Sequence, residues 1–548
     1  MPRPHFFLCV FLLLLCAPGL GAQDAAVRAA LYLTGASDPE QLDESLLERL
    51  ETFRRRPLRL NADRRSRLLS SGLLSAYQVA SLEAYRRQSG DILSLAELAL
   101  VDGFGPEAAA ALGPFLSFWS SRNAGASAVD SIRFSHSLLL RFLPDGAGGK
   151  YVVDDSRREL ALTLQKRAGT AWTGGGYLTL PTWGGTLVLG HFQLRYGQGI
   201  DRWTGFRMST LPEAGKFAWR GSGLVPTGSY AGAQACKGLG WEQPFGPLRL
   251  QAWLTRDAAT AVAGGANLAW FHRAGRLSAT LHGGGKERLG AALEGVWNVR
   301  GTECFGEAAF HPLQKALAGT LGVQFRTGER GSLSAQVRAL PSRYTGKKNG
   351  EYALLAGAAY SGRAWLQRLS GTVEAALLPI PGQDPRRYRI KTLLLWQAQP
   401  GPACTSVLRF SGKCGDDAPR ADLRWEGTWN DGRHFGRVRL NTVRSSGWGA
   451  LAYAEGGLLR ERWSAYLRCT LFRAAEWADR LYCYERDAPG NFSVTAYYGT
   501  GIALAATAGW KFSLGRFRFR LHGRAWLRFR KEKPGEAGLK GQLSVSLP

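Results

Sequence analysis

The sequence predicts an all-β transmembrane barrel of about 20 to 24 antiparallel strands, preceded by a small N-terminal all-α domain. Three observations predict it: a two-residue rhythm of apolar and polar side chains over the C-terminal four-fifths, an export signal with no later apolar run long enough for a helical span, and a composition rich in glycine and aromatic residues. The rhythm is plainest from Arg516 to Arg530, R-F-R-F-R-L-H-G-R-A-W-L-R-F-R. Phe517, Phe519, Leu521, Gly523, Ala525, Leu527 and Phe529 fall on one face of an extended strand, and Arg516, Arg518, Arg520, His522, Arg524, Arg528 and Arg530 on the other. A dry sandwich core does not accept such a row of cations, because unpaired buried charge is costly. A wet lumen does, and Arg437, Arg439, Arg516, Arg518 and Arg520 are therefore expected to be lumen-facing basic residues.

Residues 1–22 read as a secretory signal, with Arg3 and His5 before the apolar run 6–17 and a small-residue end at Ala22. An exported chain without an apolar stretch of about 18 residues is still a membrane protein if its strands close into a barrel, which satisfies every backbone N–H and C=O in lipid. The composition agrees, with 69 Gly, 18 Trp, 17 Tyr and 25 Phe but only 2 Met. The net charge of +27 is unevenly placed, since residues 23–124 hold 12 arginines against 13 carboxylates. The excess is thus in the strand region, and the overall basicity is no sign that the N-terminal part binds nucleic acid.

Residues 23–120 read as helical, with a core unit at 57–116. Short helices are expected around Asp43 to Phe53. Asn61 is placed as the N-cap of a helix through Leu69, and Ser75 as the cap of the helix 76–88. Ser94-Leu95-Ala96-Glu97 is a capping box, and Pro106 stands at the first turn of the helix to Leu112. Leu68, Leu69, Val79, Leu82, Leu95, Leu98, Ala108 and Leu112 form the expected core. A linker follows at 121–130 and the barrel at 131–548, with strands at 188–196, 388–396, 423–429, 436–442, 463–471 and 541–547 among others. The interruption from Gly197 to Ser229 is expected to be an inward-folded or extracellular loop.

The two helix, glycine hairpin, helix units lie about 31 residues apart and read L-N-A-D, G-L-L, Y-R-R-Q-S-G and L-A-E-L-A-L-V-D-G-F-G. This wording resembles the ComEA-like tandem helix-hairpin-helix domain. The passages Tyr196-Gly197-Gln198-Gly199-Ile200-Asp201-Arg202-Trp203 and Arg480-Leu481-Tyr482-Cys483-Tyr484-Glu485-Arg486-Asp487 resemble segments of Bacteroidota helix-hairpin-helix domain-containing proteins with an outer-membrane-type C-terminal region. The resemblance implies an outer-membrane protein with a periplasmic N-terminal domain that binds DNA without sequence preference, in DNA uptake or handling. Gly103, Phe104 and Gly105 of the second hairpin, Gly72 and Leu73 of the first, and Arg64, Arg65 and Arg67 would meet phosphates. Leu74 stands where the first hairpin would carry its second glycine. The other reading is a porin-like or scaffold barrel whose hairpin domain docks a periplasmic protein, its arginines paired with lumen carboxylates or meeting membrane lipid and lipopolysaccharide.

Six cysteines follow the signal. Cys404 with Cys414, and Cys469 with Cys483, are candidate local disulfides in an oxidising compartment. No H-E-x-x-H, G-x-S-x-G or P-loop occurs. An enzyme is therefore not expected, and no catalytic residue, cofactor or metal set is named; Glu485 and Asp487 beside Arg480 and Arg486 are expected to be a structural ion cluster.

Overall fold

The computed structural model describes residues 23–547, apart from Arg64, 121–133, 156–157, 206–210, 230–234, 257–261, 285–286, 329, 346–349, 381–382, 417 and 532. The predicted signal, the linker 121–130 and Arg64 lie outside the described residues.

Twenty-four wall strands among the described residues pair in chain order, from Ser135–Leu143 to Lys533–Leu547, and the last closes on the first through Leu543 opposite Leu140. The predicted rhythm sets which face is which. Leu440 is 51% exposed on the outer face, while its neighbours Arg439 and Asn441 are 4% and 3% exposed inside. Leu293, Leu321, Leu467 and Leu527 continue the exposed apolar belt, and Glu294, Thr320, Arg468 and Arg524 the buried polar lining. A cylinder greasy outside and polar inside is an outer-membrane-type barrel. No helix among the described residues is long and apolar enough to cross a membrane. The strands exceed their sequence-based limits: 388–396 lies within Gln383–Gly401, and 541–547 within Lys533–Leu547.

The wall starts and ends at one mouth, here the terminal mouth, where most connections span two to four residues. Two long connections enter from the opposite, distal mouth and fold inward. At the first, the strand Thr186–Arg195 leaves its neighbour Thr173–Pro181 above Gly190, bends into the lumen and pairs with the short strand Gly223–Pro226. The second carries a small hairpin, Leu481–Tyr484 with Val494–Tyr497.

The N-terminal domain comprises α1 (Gln23–Thr34), α2 (Glu44–Arg55), α3 (Arg65–Ser70), α4 (Ala76–Ser89), α5 (Leu95–Leu100) and α6 (Gly105–Leu112). Ser75 and Gln78 form a reciprocal cap for α4, Ser94 accepts from the Glu97 N–H at the head of α5, and Pro106 lies in the first turn of α6. Asn61 departs from expectation. It is 1% exposed and bonds both backbone groups of Ile92 and the carbonyl of Trp119, so it ties the two hairpin units together instead of capping α3. Leu95 also departs, being 46% exposed. The other expected core leucines are buried, in one cluster with Ala269 and Phe271 of the barrel wall.

That shared cluster shows where the domain sits. It packs within the lumen, against the wall. Its side chains pair with the wall on every side: Arg56 with Asp154, Glu44 with Arg141, Asp38 with Arg424, and Glu51 with Arg520.

Both expected disulfides are corrected. Cys404 and Cys414 stand at opposite ends of one wall strand, Cys404–Gly415, too far apart to bridge. Cys469 is exposed on the outer face, whereas Cys483 is buried inside the lumen, so the wall separates them.

Candidate functional site

The candidate site is the seat on which the helical domain closes the lumen. Its centre is the single turn Pro39–Gln41 between α1 and α2, which Asp38 caps by accepting from the Glu40 N–H. The cap fixes two carboxylates side by side against three lumen arginines. Asp38 lies 2.8 Å from Arg424 and 3.5 Å from Arg409; Glu40 lies 3.1 Å from Arg424 and bonds Arg439 and the Tyr484 N–H. Burial by itself would raise the Glu40 carboxyl, but the guanidinium groups of Arg439 and Arg424 outweigh it and hold the group far below the usual carboxylate range. Arg409, Arg424 and Arg439 come from three consecutive wall strands, Cys404–Gly415, Arg420–Asn430 and His434–Arg444, which puts their side chains in one row across the lumen face.

Weaker contacts ring the rest of the domain. Glu48 reaches Arg141 and Lys150 at 3.7 and 3.6 Å, and Glu51 reaches Arg520 at 3.2 Å. Glu51 is held below its usual range despite burial, chiefly by Arg54 and Arg55 of its own helix and by Arg520, whereas burial raises Glu44 in spite of Arg141. At the terminal mouth Glu107, beside the second hairpin, bonds Lys216 at 2.9 Å and Arg368 at 2.8 Å.

The inward connections act as mortar. Glu307 accepts from the backbone N–H groups of Gln198, Ile200 and Asp201, and Glu294 from that of Gly197. Gly197 and Gly199 both have positive φ, and a Cβ on either would collide, with Glu307 and with the Trp219 ring respectively. The G-Q-G spacing is therefore what lets this loop lie against the wall. In the distal hairpin Glu485 bonds Arg524 and Tyr497, Asp487 reaches Lys540 at 3.2 Å, and Arg486 bonds Glu455 at 2.7 Å while stacking on Tyr466. The expected ion cluster is present, but its partners are wall residues; Arg480 instead stacks on Trp477 and Tyr482.

Asp201, His282 and His311 form the group of metal-type donors found among the described residues. The donor types suit a transition metal, but the arrangement does not. The Arg202 guanidinium lies 2.8 Å from His282 Nδ1, so that nitrogen must accept and Nε2–H must point at Asp201, 2.8 Å away. Tyr344 bonds the same carboxylate at 3.2 Å. Burial would raise the Asp201 carboxyl, but the hydrogen bonds from His282 and His311 and the charge of Arg202 hold it below its usual range. This is a buried anchor for the loop, and sequence spacing gave no sign of it because Asp201 comes from the loop and the histidines from two separate strands.

Of the described residues expected to meet DNA, Gly72 and Arg65 lie against barrel residues. Leu73 and Phe104 are buried in the domain core. Gly72 lies against Ser222 of the inward loop, and Gly103 against Tyr77. Arg65 pairs with Glu83 and stacks over Phe271 of the wall, and Arg67 pairs with Asp63. Gly105 has open space beside it, in a cavity of about 510 Å³ between the second hairpin and the wall. Of the expected lumen cations, Arg439 and Arg520 meet the domain, while Arg437 lies 3.7 Å from Glu426 and over the Phe435 ring. Arg516 is in the turn between the strands Gly499–Leu514 and Phe517–Arg530, and it and Arg518 are exposed at the terminal rim. The sequence did not single out Asp38, Glu40 or Arg424; the only available sign was a carboxylate-bearing N-terminal segment facing an arginine-rich wall.

No family model and no curated protein matches the sequence. Among solved structures the chain is similar to the P pilus usher PapC translocation pore, at 10% identity and a TM-score of 0.35, over 76% of this chain and 98% of that one. It is also similar to an E. coli P pilus tip assembly intermediate, PapC-PapD-PapK-PapG, at 10% identity and a TM-score of 0.45 over 75% and 60%. The copper transporter OprC matches at 8% identity and a TM-score of 0.40 over 76% and 80%. At such identities and scores the barrel rests on its own strand pairing, and nothing about cargo comes from these neighbours.

Proposed function

We propose that this protein is a gated conduit of the outer membrane, in which the helical domain is a plug held in the lumen by carboxylates seated on wall arginines. The observation that carries the reading is the Asp38–Glu40 seat, because a barrel this wide has a wet lumen unless something fills it. The short-turn terminal mouth is assigned to the periplasm, following the usual asymmetry of bacterial barrels. Passage then requires the plug to shift or leave, and the free energy of the seat sets how rarely this happens.

Planar-bilayer recording tests this on the full chain. The wild-type protein should be closed for most of the record, and the Asp38→Asn, Glu40→Gln variant should show large, long-lived conductance steps. Wide-open steps of equal size in the wild-type protein would refute the plug.

The nucleic-acid role implied by the helix-hairpin-helix resemblance becomes conditional on release, since Arg65 and Gly72 lie against barrel residues in the seated state. A low-salt gel shift with duplex DNA separates the two readings. Binding by the seat variant with steep salt dependence, and none by the wild-type protein, would support a released DNA-binding domain. No binding by either would leave the conduit without a DNA role and favour docking of a protein.

A further inference from the structure

The cavity at the terminal mouth has a lining unlike the rest of the lumen. It holds about 510 Å³ and is walled on the barrel side by Arg249, Arg326 and Arg330, with Lys216 and Arg368 at its edge; Glu107 and Glu303 are its carboxylates. Elsewhere in the lumen Arg424, Arg439 and Arg468 sit on carboxylates at close range. Among the described lining residues the cations outnumber the acids.

Arg249 shows the imbalance best. It is 4% exposed, its Nε and Nη1 have no hydrogen-bond partner, and its nearest carboxylate, Glu242, stands 3.9 Å away with that same oxygen bonded to Gln251. The Phe271 ring beneath it, 5.0 Å from the guanidinium, holds the group in place without satisfying its N–H donors. Leaving buried charged donors unpaired is expensive. Arg326, exposed, and Arg330, half-buried, line the same cavity, Arg326 near the end of the strand Ala316–Thr327 and Arg330 in the turn that follows it. A guanidinium fork with unpartnered N–H groups, as Arg249 offers, matches a tetrahedral oxyanion in geometry and charge.

We infer that this cavity is a binding site for a phosphate-bearing ligand, held by Arg249 from within and by Arg326 and Arg330 from the rim. The volume exceeds one phosphate and accommodates a diphosphate or a phosphorylated small molecule; a phospholipid headgroup presents the same chemistry. The assignment goes beyond the plug reading but rests on the seated domain, because the second hairpin forms the other side of the cavity.

The test uses the full chain in detergent at low salt, with inorganic pyrophosphate as the titrant in calorimetry. Binding should be seen, and Arg249→Gln should weaken it about tenfold or more, as expected for lost hydrogen bonds to a charged group. Because Arg249→Gln alters a buried position, the rim double variant Arg326→Gln, Arg330→Gln is the second arm, with the same loss expected. Arg460→Gln with Arg462→Gln, cations between the strands Trp448–Leu459 and Trp463–Ala474, is the control and should leave the affinity unchanged. Native mass spectrometry after incorporation into phosphatidylglycerol nanodiscs distinguishes the source. Retained phosphatidylglycerol that is lost in the rim variant assigns the site to a lipid headgroup, and pyrophosphate binding without it assigns a soluble compound. Absence of both ligands from the wild-type protein, or equal weakening by the control pair, would overturn the inference.

Discussion

The two ends of the plug are held by the same chemistry in different surroundings. At the Asp38–Glu40 seat every partner is sealed from water, with side chains of Arg424 and Arg439 5% exposed and those of Asp38 and Glu40 8% and 7%. At the Glu107 clasp the carboxylate is 52% exposed and its partners Lys216 and Arg368 are 17% and 21% exposed. A buried pair, once made, is costly to break from one side because the survivor stays charged in a low-dielectric site. A wet pair loses its partner to water with little penalty. The plug is therefore founded on one side and clasped on the other, and motion should start at Glu107.

The comparison is broken hardest at the foundation. Glu40→Ala leaves Arg439 without its carboxylate and Arg424 with Asp38 alone, and should destabilise the seated plug by roughly 3–5 kcal/mol. This is measured as earlier loss of the helical circular-dichroism signal on heating and as trypsin cleavage within 23–120 while the barrel persists. An unchanged melting profile would mean that the domain is held by apolar packing alone.

Acid sharpens the same contrast. A carboxylate whose folded pKa lies below its ordinary value, about 4.3 for Glu, stabilises the seat fully above that value and loses the contribution as pH falls through the lowered one. Glu40 and Glu51 are of this kind. Glu44 works the other way, since burial raises it and its contribution fades as pH rises. The plug should thus stay closed from about pH 5 to 8 and loosen only below about pH 4. Conductance recorded against pH checks this, and opening near pH 6 would point to another titrating group.

The smallest effect belongs to the clasp. Glu107→Ala should cost about 1 kcal/mol or less, and 1 M salt, which screens exposed pairs within about 3 Å, should reproduce most of that loss in the wild-type protein without adding to it in the variant. Thermal unfolding of both proteins at low and high salt reads the difference directly.

What the sequence determined by itself was the wall. Period-two alternation is a local property, visible in Phe517 to Arg530 without knowledge of any neighbour, and it fixed the strands, their two faces and the lumen side of Arg439 and Arg520. The helices of the N-terminal domain were legible for the same reason, since Ser75, Ser94 and Pro106 act within a turn of the residues they cap. Asn61 was misread because its partners Ile92 and Trp119 are far along the chain, and a local rule assigned it a local task.

Where the domain sits was decided only by tertiary structure. Asp38 and Glu40 are nearly 400 residues from the arginines they meet, as in the Glu40–Arg439 pair, and nothing in either segment marks the other as its partner. The near-zero charge of the N-terminal region and the excess of cations in the wall were both on the page, but charge balance does not say which carboxylate finds which guanidinium. Closing the sheet does, because it brings arginines from consecutive strands into one row and leaves a polar interior that only a folded body carrying its own carboxylates can fill.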